Sequence, residues 1–216
     1  MNPTAQAPAP PTIEGNIYAV TYVEVMPTSR ADGIALLKRY REATRKEDGN
    51  LRCEVVSRIG QPHQLAILEV WKDHKAFEAH GKSAHVSGLR EKIQAIRNAP
   101  IDERVHVSVS SGPLQPGPAG DAVYVVTHVD VIPPRKDDGL AAVKQLAEDS
   151  RKQNGSLRFD VYQQTNRPNH FTVVETWANR AAYDAHFVQA QTKDFRGKLI
   201  TMTGALYDER LYRTLD

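Results

Sequence analysis

Hydrophobic and polar residues alternate along four short segments in the first half of the chain, and this period of two predicts β-strands. The four segments are residues 17–26, 51–59, 64–71 and 101–109. Residues 30–48 and 84–98 instead carry apolar side chains at helical spacing, and Asp73 is placed to cap a short helix that runs through His80. The order β-α-β-β-α-β predicts a ferredoxin-like α+β domain, with helices on one face of an antiparallel sheet.

The second half of the chain repeats the first. The segment that begins at Tyr18, YAVTYVEV, returns at Tyr124 as YVVTHVDV, an offset of 124 − 18 = 106 residues. The same offset aligns Gly49 with Gly155, and it continues without a gap through most of each copy, which chance does not produce. The sequence therefore predicts two homologous domains in tandem.

The predicted organisation has four parts. They are a disordered Pro/Ala-rich arm at 1–15, a first ferredoxin-like domain at 16–110, a Pro/Gly linker at 111–121 and a second domain at 122–216. If the two domains pack through their open sheet faces, one chain forms a dimeric α+β barrel, or pseudo-dimer. A cavity between the sheets is then the expected ligand site, and exposed edge strands would allow a homodimer of pseudo-dimers.

Composition and charge narrow the class of protein. Hydrophobic residues make up 40 % and charged residues 25 % of the 216 residues, which is typical of a globular protein and not of a membrane protein. The net charge is +2 with both signs interspersed, so a nucleic-acid partner is not expected. Cytoplasm is the default location, and periplasm is the alternative if an export signal preceded the arm.

The chain contains a single cysteine, Cys53, and lacks the Cys and His spacings of common zinc motifs, so neither a disulfide nor a metal is expected. Phe159 replaces Cys53 in the second repeat, which favours a core position for both. Nucleophile-elbow, phosphate-loop and dinucleotide motifs are also missing from the sequence. An enzyme built on this chain is therefore expected to work without a cofactor.

The candidate chemistry lies on the third strand and the helix that follows it. Glu69 and Trp71 share one strand face with apolar residues, and a carboxylate in such a row needs a partner. His80 is the expected partner and a candidate general base, although a purely structural tie between strand and helix remains the alternative. The second repeat offers the same three residue types, Glu175, Trp177 and His186.

Three further residues are candidate substrate contacts because they differ between the repeats. They are Tyr22, its counterpart His128, and His85, whose counterpart is Gln191. These differences indicate either two unequal cavities or neutral drift. Arg52 and Arg158 lie on the strand face opposite the apolar row, so we expect solvent exposure, with an anion clamp as the alternative.

The run EVWKDHKAFEAH from Glu69 to His80, followed by His85, resembles the signature segment of the antibiotic biosynthesis monooxygenase family, with its quinol monooxygenase branch nearest. The resemblance extends over both repeats, and the second repeat lacks the later histidine. It implies paired ferredoxin-like domains that oxidise quinols, anthrones or related aromatics with O₂ and without flavin, haem or metal. His80 would be the base, Glu69 its orienting partner and Trp71 a pocket wall.

Two other functions remain open at this point. The chain could be a barrel that binds a small aromatic ligand without transforming it, or an O₂-independent isomerase of the same superfamily. Product formation without O₂ would indicate the isomerase, and ligand-induced stabilisation without turnover would indicate the binding protein.

Overall fold

The computed structural model describes residues 14–115, 117–118 and 120–215. Most of the predicted arm and two positions of the predicted linker therefore lie outside the described residues. The first repeat comprises β1 (Ile17–Glu24), α1 (Arg30–Thr44), β2 (Asn50–Arg58), β3 (Gln64–Trp71), α2 (His74–Gly81), α3 (Ala84–Gln94) and β4 (Asp102–Ser110). The second comprises β5 (Val123–Asp130), α4 (Lys136–Ser150), β6 (Ser156–Gln164), β7 (Arg167–Trp177), α5 (Arg180–Phe187), α6 (Ala190–Ile200) and β8 (Asp208–Thr214).

The eight strands close into one antiparallel barrel in the order β1-β3-β2-β8-β5-β7-β6-β4. The repeats are joined at two places, where β2 pairs with β8 and β4 pairs with β6. The predicted α+β barrel of tandem ferredoxin-like repeats is thus confirmed. Each described strand has a neighbour on both sides, so the barrel offers no free edge for the expected homodimer, which stays a prediction.

Alternation along the strands divides the buried residues between two layers. The residues of the inner layer fill the barrel and include five tyrosines: Tyr18, Tyr22, Tyr124, Tyr162 and Tyr212. The outer layer packs against the helices, and in β3 it contains Leu65, Ile67, Glu69 and Trp71. The expected ligand cavity between the sheets is therefore replaced by packed side chains.

The expectation that Arg52 and Arg158 face solvent is wrong. The strand face opposite the helices points into the closed barrel, so a polar residue on that face needs partners inside. Arg158 Nε donates to Asp160 Oδ2 at 2.7 Å and Arg158 Nη1 to Glu54 Oε2 at 3.1 Å, and both carboxylates are buried. Arg52 is half-buried and donates to the carbonyl of Gln115 in the linker.

Residues 45–48, which the sequence pattern predicts to be helical, form a turn after α1. The helix ends at Thr44, four residues earlier than expected, and a turn runs from there to Gly49. Gly49 has a φ of +88°, and a Cβ there would lie 2.7 Å from the Cβ of Ala76, so glycine lets the turn pack against α2. Glu47, within this turn, is held against the same helix.

Candidate active site

Glu69, Trp71 and His80 meet between the barrel and the helices, as the strand and helix periods predict. The Asp73 side chain accepts a hydrogen bond from Ala76 N at 2.7 Å, which caps α2 as expected and fixes the position of His80 about two turns later. The rings of Trp71 and His80 lie 4.4 Å apart, and both side chains are buried.

Tyr40 of α1 connects the two predicted partners. Its hydroxyl donates to Glu69 Oε1 at 3.0 Å and is hydrogen-bonded to His80 Nε2 at 2.7 Å, whereas His80 Nε2 and Glu69 Oε1 are 3.6 Å apart. On the other side of the imidazole ring, His80 Nδ1 is 2.5 Å from Glu47 Oε2. The result is a continuous hydrogen-bonded chain, Glu69–Tyr40–His80–Glu47, which we call the repeat-1 relay.

Burial sets the protonation of the relay. It raises the pKa of Glu69 to about 8, and the hydrogen bond from Tyr40 only partly opposes this. Burial also lowers the pKa of His80, against the opposing effect of Glu47, and raises that of Tyr40 well above its usual range. Near neutral pH these shifts favour a protonated Glu69 and a neutral His80, and the Tyr40 hydroxyl between them provides a hydrogen-bonded path for a proton.

A cavity of about 440 Å³ opens beside the relay and is lined by Glu47, Trp71, His80 and residues at the start of α2. The Glu47 side chain is 24 % exposed and the His80 side chain 4 %, so the relay meets the cavity at its Glu47 end. Within the described chain, the buried Trp71 Nε1–H has no acceptor.

His85 of α3 stands next to this group. Its ring centroid is 5.4 Å from that of His80, and its Nε2 is 3.6 Å from Glu47 Oε2. Glu47, His80 and His85 present one ligand atom each within 4.8 Å of one another, so these three residues could hold a metal ion. No short sequence motif reveals them, because Glu47 and His80 are 33 residues apart.

The second repeat keeps Glu175, Trp177 and His186 but connects them differently. Leu146 stands where Tyr40 is, Gln153 where Glu47 is and Gln191 where His85 is. In the absence of the tyrosine, Trp177 Nε1 donates to Glu175 Oε2 at 2.7 Å. His186 Nδ1 is 3.1 Å from Gln153 Oε1, a carboxamide that carries no charge.

Comparison with known proteins agrees with this architecture. The family model described as antibiotic biosynthesis monooxygenase matches residues 16–92 and again 122–198, which together are more than half of the chain. The chain belongs to the antibiotic biosynthesis monooxygenase family. The resemblance noted in the signature segment is thus confirmed, and each repeat is one domain of this family.

The chain is similar to a curated monooxygenase in sequence and to solved structures in fold. "Putative monooxygenase YcnE" of Bacillus subtilis is 28 % identical over 81 residues, which are 38 % of this chain and 85 % of that protein. A solved "putative monooxygenase" of Fusobacterium nucleatum superposes with a TM-score of 0.83 at 17 % identity, over 94 % of this chain and 93 % of the other. An "anthrone oxidase-like protein" superposes with a TM-score of 0.74 at 14 % identity, over 95 % of each chain. At these identities the two structures show the fold alone.

The remaining candidates, Tyr22 and His128, lie elsewhere in this monooxygenase-family barrel. Both point into its interior, where the Tyr22 hydroxyl is 2.6 Å from His128 Nε2. His128 Nδ1 is also 3.2 Å from Thr172 Oγ1, whose other contact is His106 Nε2 at 2.9 Å. These residues form an inner network, separated from the repeat-1 relay by the thickness of the sheet.

Sequence reasoning missed Tyr40 and Glu47, although the sequence contained one signal for them. Both residues differ from their counterparts in the second domain, as does His85, and all three differences exchange an ionisable side chain for one that is not.

No helix among the described residues is long and apolar enough to cross a membrane.

Proposed function

We propose that the protein is a monooxygenase that oxidises an electron-rich aromatic hydroxyl compound, such as a quinol or an anthrone, with O₂. One observation carries the proposal: a buried hydrogen-bonded chain through His80 ends, at Glu47, on a cavity beside α2. Membership of the antibiotic biosynthesis monooxygenase family supports the reaction class. We place the reaction in repeat 1, and Glu175 and His186 hold the equivalent positions in repeat 2.

The cavity suits an aromatic substrate. Its volume of about 440 Å³ lies within the range of small-molecule sites, and Trp71, Ala76 and Ala79 contribute apolar lining. A substrate hydroxyl that enters it meets the Glu47 carboxylate, which lies 2.5 Å from His80 Nδ1 and covers it. His85 borders the same group from α3.

The first step is removal of a proton from a quinol hydroxyl, or from the hydroxyl of an anthrone's enol tautomer, with His80 as the base. The imidazole then carries its own hydrogen on Nε2, toward Tyr40 and Glu69, and the substrate hydroxyl displaces Glu47 from Nδ1, which accepts the proton. The resulting anion is electron-rich enough to reduce O₂ directly.

The overall reaction is balanced without an added reductant. An anthrone methylene becomes a carbonyl, one oxygen atom of O₂ enters the product, and the other leaves as water with the two hydrogens that the methylene loses. The substrate supplies all four electrons, so this reaction requires neither flavin nor haem.

Oxygen uptake by the metal-stripped protein tests the proposal directly. Hydroquinones, naphthohydroquinones and anthrones would be supplied in turn, with autoxidation subtracted. We expect uptake above background, a loss of at least about a hundredfold in His80→Ala and of about tenfold or more in Tyr40→Phe, and little change in His186→Ala. The last variant is the matched control from the second repeat.

Three outcomes would contradict the proposal or its details. Product formation without oxygen consumption would indicate an isomerase, and a raised melting temperature without turnover would indicate a binding protein. Uptake that survives in His80→Ala but is lost in His186→Ala would move the reaction to repeat 2. Normal uptake in Tyr40→Phe would show that the relay plays no part in turnover.

A further inference from the structure

We propose that Glu47, His80 and His85 form a binding site for one divalent transition-metal ion. Glu47 Oε2 lies 2.5 Å from His80 Nδ1 and 3.6 Å from His85 Nε2, and all three ligand atoms are within 4.8 Å of one another. Ligands of a common ion at about 2.0–2.2 Å stand roughly 3 Å apart. Small side-chain rotations of Glu47, which lies on a turn, and of the two histidines would bring the three atoms to metal-binding distances.

Hydrogen bonds hold the second nitrogen of each imidazole ring, and the ligand atom His85 Nε2 is hydrogen-bonded to Thr44 Oγ1 at 3.1 Å, a bond that the ion would replace. His80 Nε2 is bonded to the Tyr40 hydroxyl at 2.7 Å, and Tyr40 in turn donates to Glu69. The other ring nitrogen of His85, Nδ1, is 3.2 Å from Ser83 Oγ. Histidines that ligate metals have their second nitrogen bonded in this way, which fixes the ring and the tautomer.

The donor set indicates the class of ion. Two imidazole nitrogens and one carboxylate suit Zn²⁺, Co²⁺ or Fe²⁺, whereas Mg²⁺ and Ca²⁺ prefer oxygen ligands only. The cavity beside Glu47 and His80 gives the ion a route of entry and leaves room for a water molecule or a substrate oxygen as a further ligand.

The second repeat provides an internal comparison. Gln153 and Gln191 replace Glu47 and His85, and a carboxamide is a much weaker ligand than a carboxylate or an imidazole. Of the three ligands, only His186 has kept its type. The proposal therefore specifies one ion per chain, bound in repeat 1, and it revises the expectation from sequence that the protein takes no metal.

This inference goes beyond the proposed function and does not depend on it. The ion would occupy His80 Nδ1, where the substrate proton is proposed to arrive, so metal and substrate proton exclude each other. Metal binding is measured without turnover. A protein that binds the ion but consumes no oxygen would retain this proposal and lose the other.

The test is a titration of the metal-stripped full chain, with Zn²⁺ by calorimetry and with Co²⁺ by visible absorption. We expect one ion per chain and a Co²⁺ spectrum of low coordination number. Glu47→Gln and His85→Gln, which introduce the residues of the second repeat, should each weaken binding at least about tenfold. His186→Gln is the matched control and should bind as the wild type does.

Failure of the wild type to bind either ion would overturn the proposal. Equal affinity in Glu47→Gln, His85→Gln and the wild type would also overturn it, because binding would then be elsewhere on the surface. Circular dichroism and melting temperature verify that each variant folds. If a ligand variant does not fold, Tyr40→Phe leaves all three ligands in place, and its loss of the bond to His80 should still weaken binding several-fold, whereas unchanged affinity would contradict the site.

Discussion

Replacing His128 by phenylalanine should change how stability depends on pH. His128 is 5 % exposed inside the barrel, between the Tyr22 hydroxyl and Thr172 Oγ1. Burial lowers its pKa from 6.5 to about 3, helped by the nearby positive charge of Arg104 and opposed by Asp208. Arg210 and His106 add to the lowering. The folded protein therefore keeps this imidazole neutral at pH values where the unfolded chain protonates it.

The sign and size of the effect follow from linkage. A histidine whose pKa is lower in the folded state contributes stability that is complete above the unfolded value of 6.5 and is lost as pH falls toward about 3. Each pH unit in this window removes about 1.4 kcal/mol, so acidification from 6.5 to about pH 5 removes about 2 kcal/mol. A phenylalanine side chain, which does not titrate, would contribute no such effect.

A difference between variants is needed because other buried groups act in the opposite direction. Burial raises the pKa of Glu69 and of Glu175 to about 8, so both become more favourable to folding as pH falls. These contributions cancel when the variant is compared with the wild type. A ring of this size fits the position, because Tyr22 occupies the equivalent place in the first repeat.

Urea unfolding at about pH 7.5 and about pH 5 measures the effect. We expect His128→Phe to be less stable than the wild type at the higher pH, and this deficit to shrink by about 2 kcal/mol at the lower one. Tyr22→Phe is the control, since it removes the hydrogen bond and keeps the imidazole, and its deficit should change far less. An equal deficit of His128→Phe at both pH values would refute the reasoning.

Two further matched pairs test the packing of the repeats by urea unfolding. Trp177→Phe should cost at least about 1 kcal/mol more than Trp71→Phe, because Trp177 Nε1 donates to the buried Glu175 whereas Trp71 Nε1 has no acceptor within the described chain. Similar losses in both variants would contradict this difference. Arg158→Met should cost about 3–5 kcal/mol, since it leaves two buried carboxylates without their cation, whereas Arg52→Met should cost far less. A loss of less than about 1 kcal/mol in the free energy of unfolding of Arg158→Met would show that this ionic cluster is dispensable for stability.

The fold could be predicted because its determinants are local or repeated. The period of two marks the strands, Asp73 and Asn179 mark the start of α2 and α5, and the offset of 106 residues marks the duplication. Each of these signals predicts its element even when the first or last residue of that element is misjudged. The end of α1 at Thr44 was misplaced because residues 45–48 are also compatible with a helix, and only packing against α2 decides between helix and turn.

Closure of the barrel explains the errors about the strand faces. In an open sheet, the face away from the helices is either solvated or covered by a partner, and Arg158 was assigned to solvent on that basis. In the closed barrel that face is interior, so the arginine is buried with Glu54 and Asp160. Closure depends on pairings between repeats, β2 with β8 and β4 with β6, which no local pattern encodes.

Only part of the candidate site could be predicted from the sequence, because the rest depends on tertiary packing. Glu69 and His80 fall on predictable faces of a strand and the helix that follows it, so their approach could be inferred. Tyr40 lies 29 residues before Glu69, and Glu47 lies 33 residues before His80, on an element whose placement over β3 is tertiary. A tyrosine on a helix face is in addition an ordinary core residue, which gives it no chemical signature.

The differences between the repeats argue that the relay acts as a unit. Features that build the domain are retained in both copies: the positive-φ glycines Gly49 and Gly155, and the capping residues before α2 and α5. The side chains that contact the imidazole differ together, with Tyr40 and Glu47 replaced in the second repeat by residues that cannot ionise. A buried glutamate still needs a hydrogen-bond donor, and in the second repeat Trp177 Nε1 donates to Glu175. The trio of Glu, Trp and His is therefore compatible with packing alone, and on our proposal proton transfer requires Tyr40 and Glu47, which only the first repeat contains.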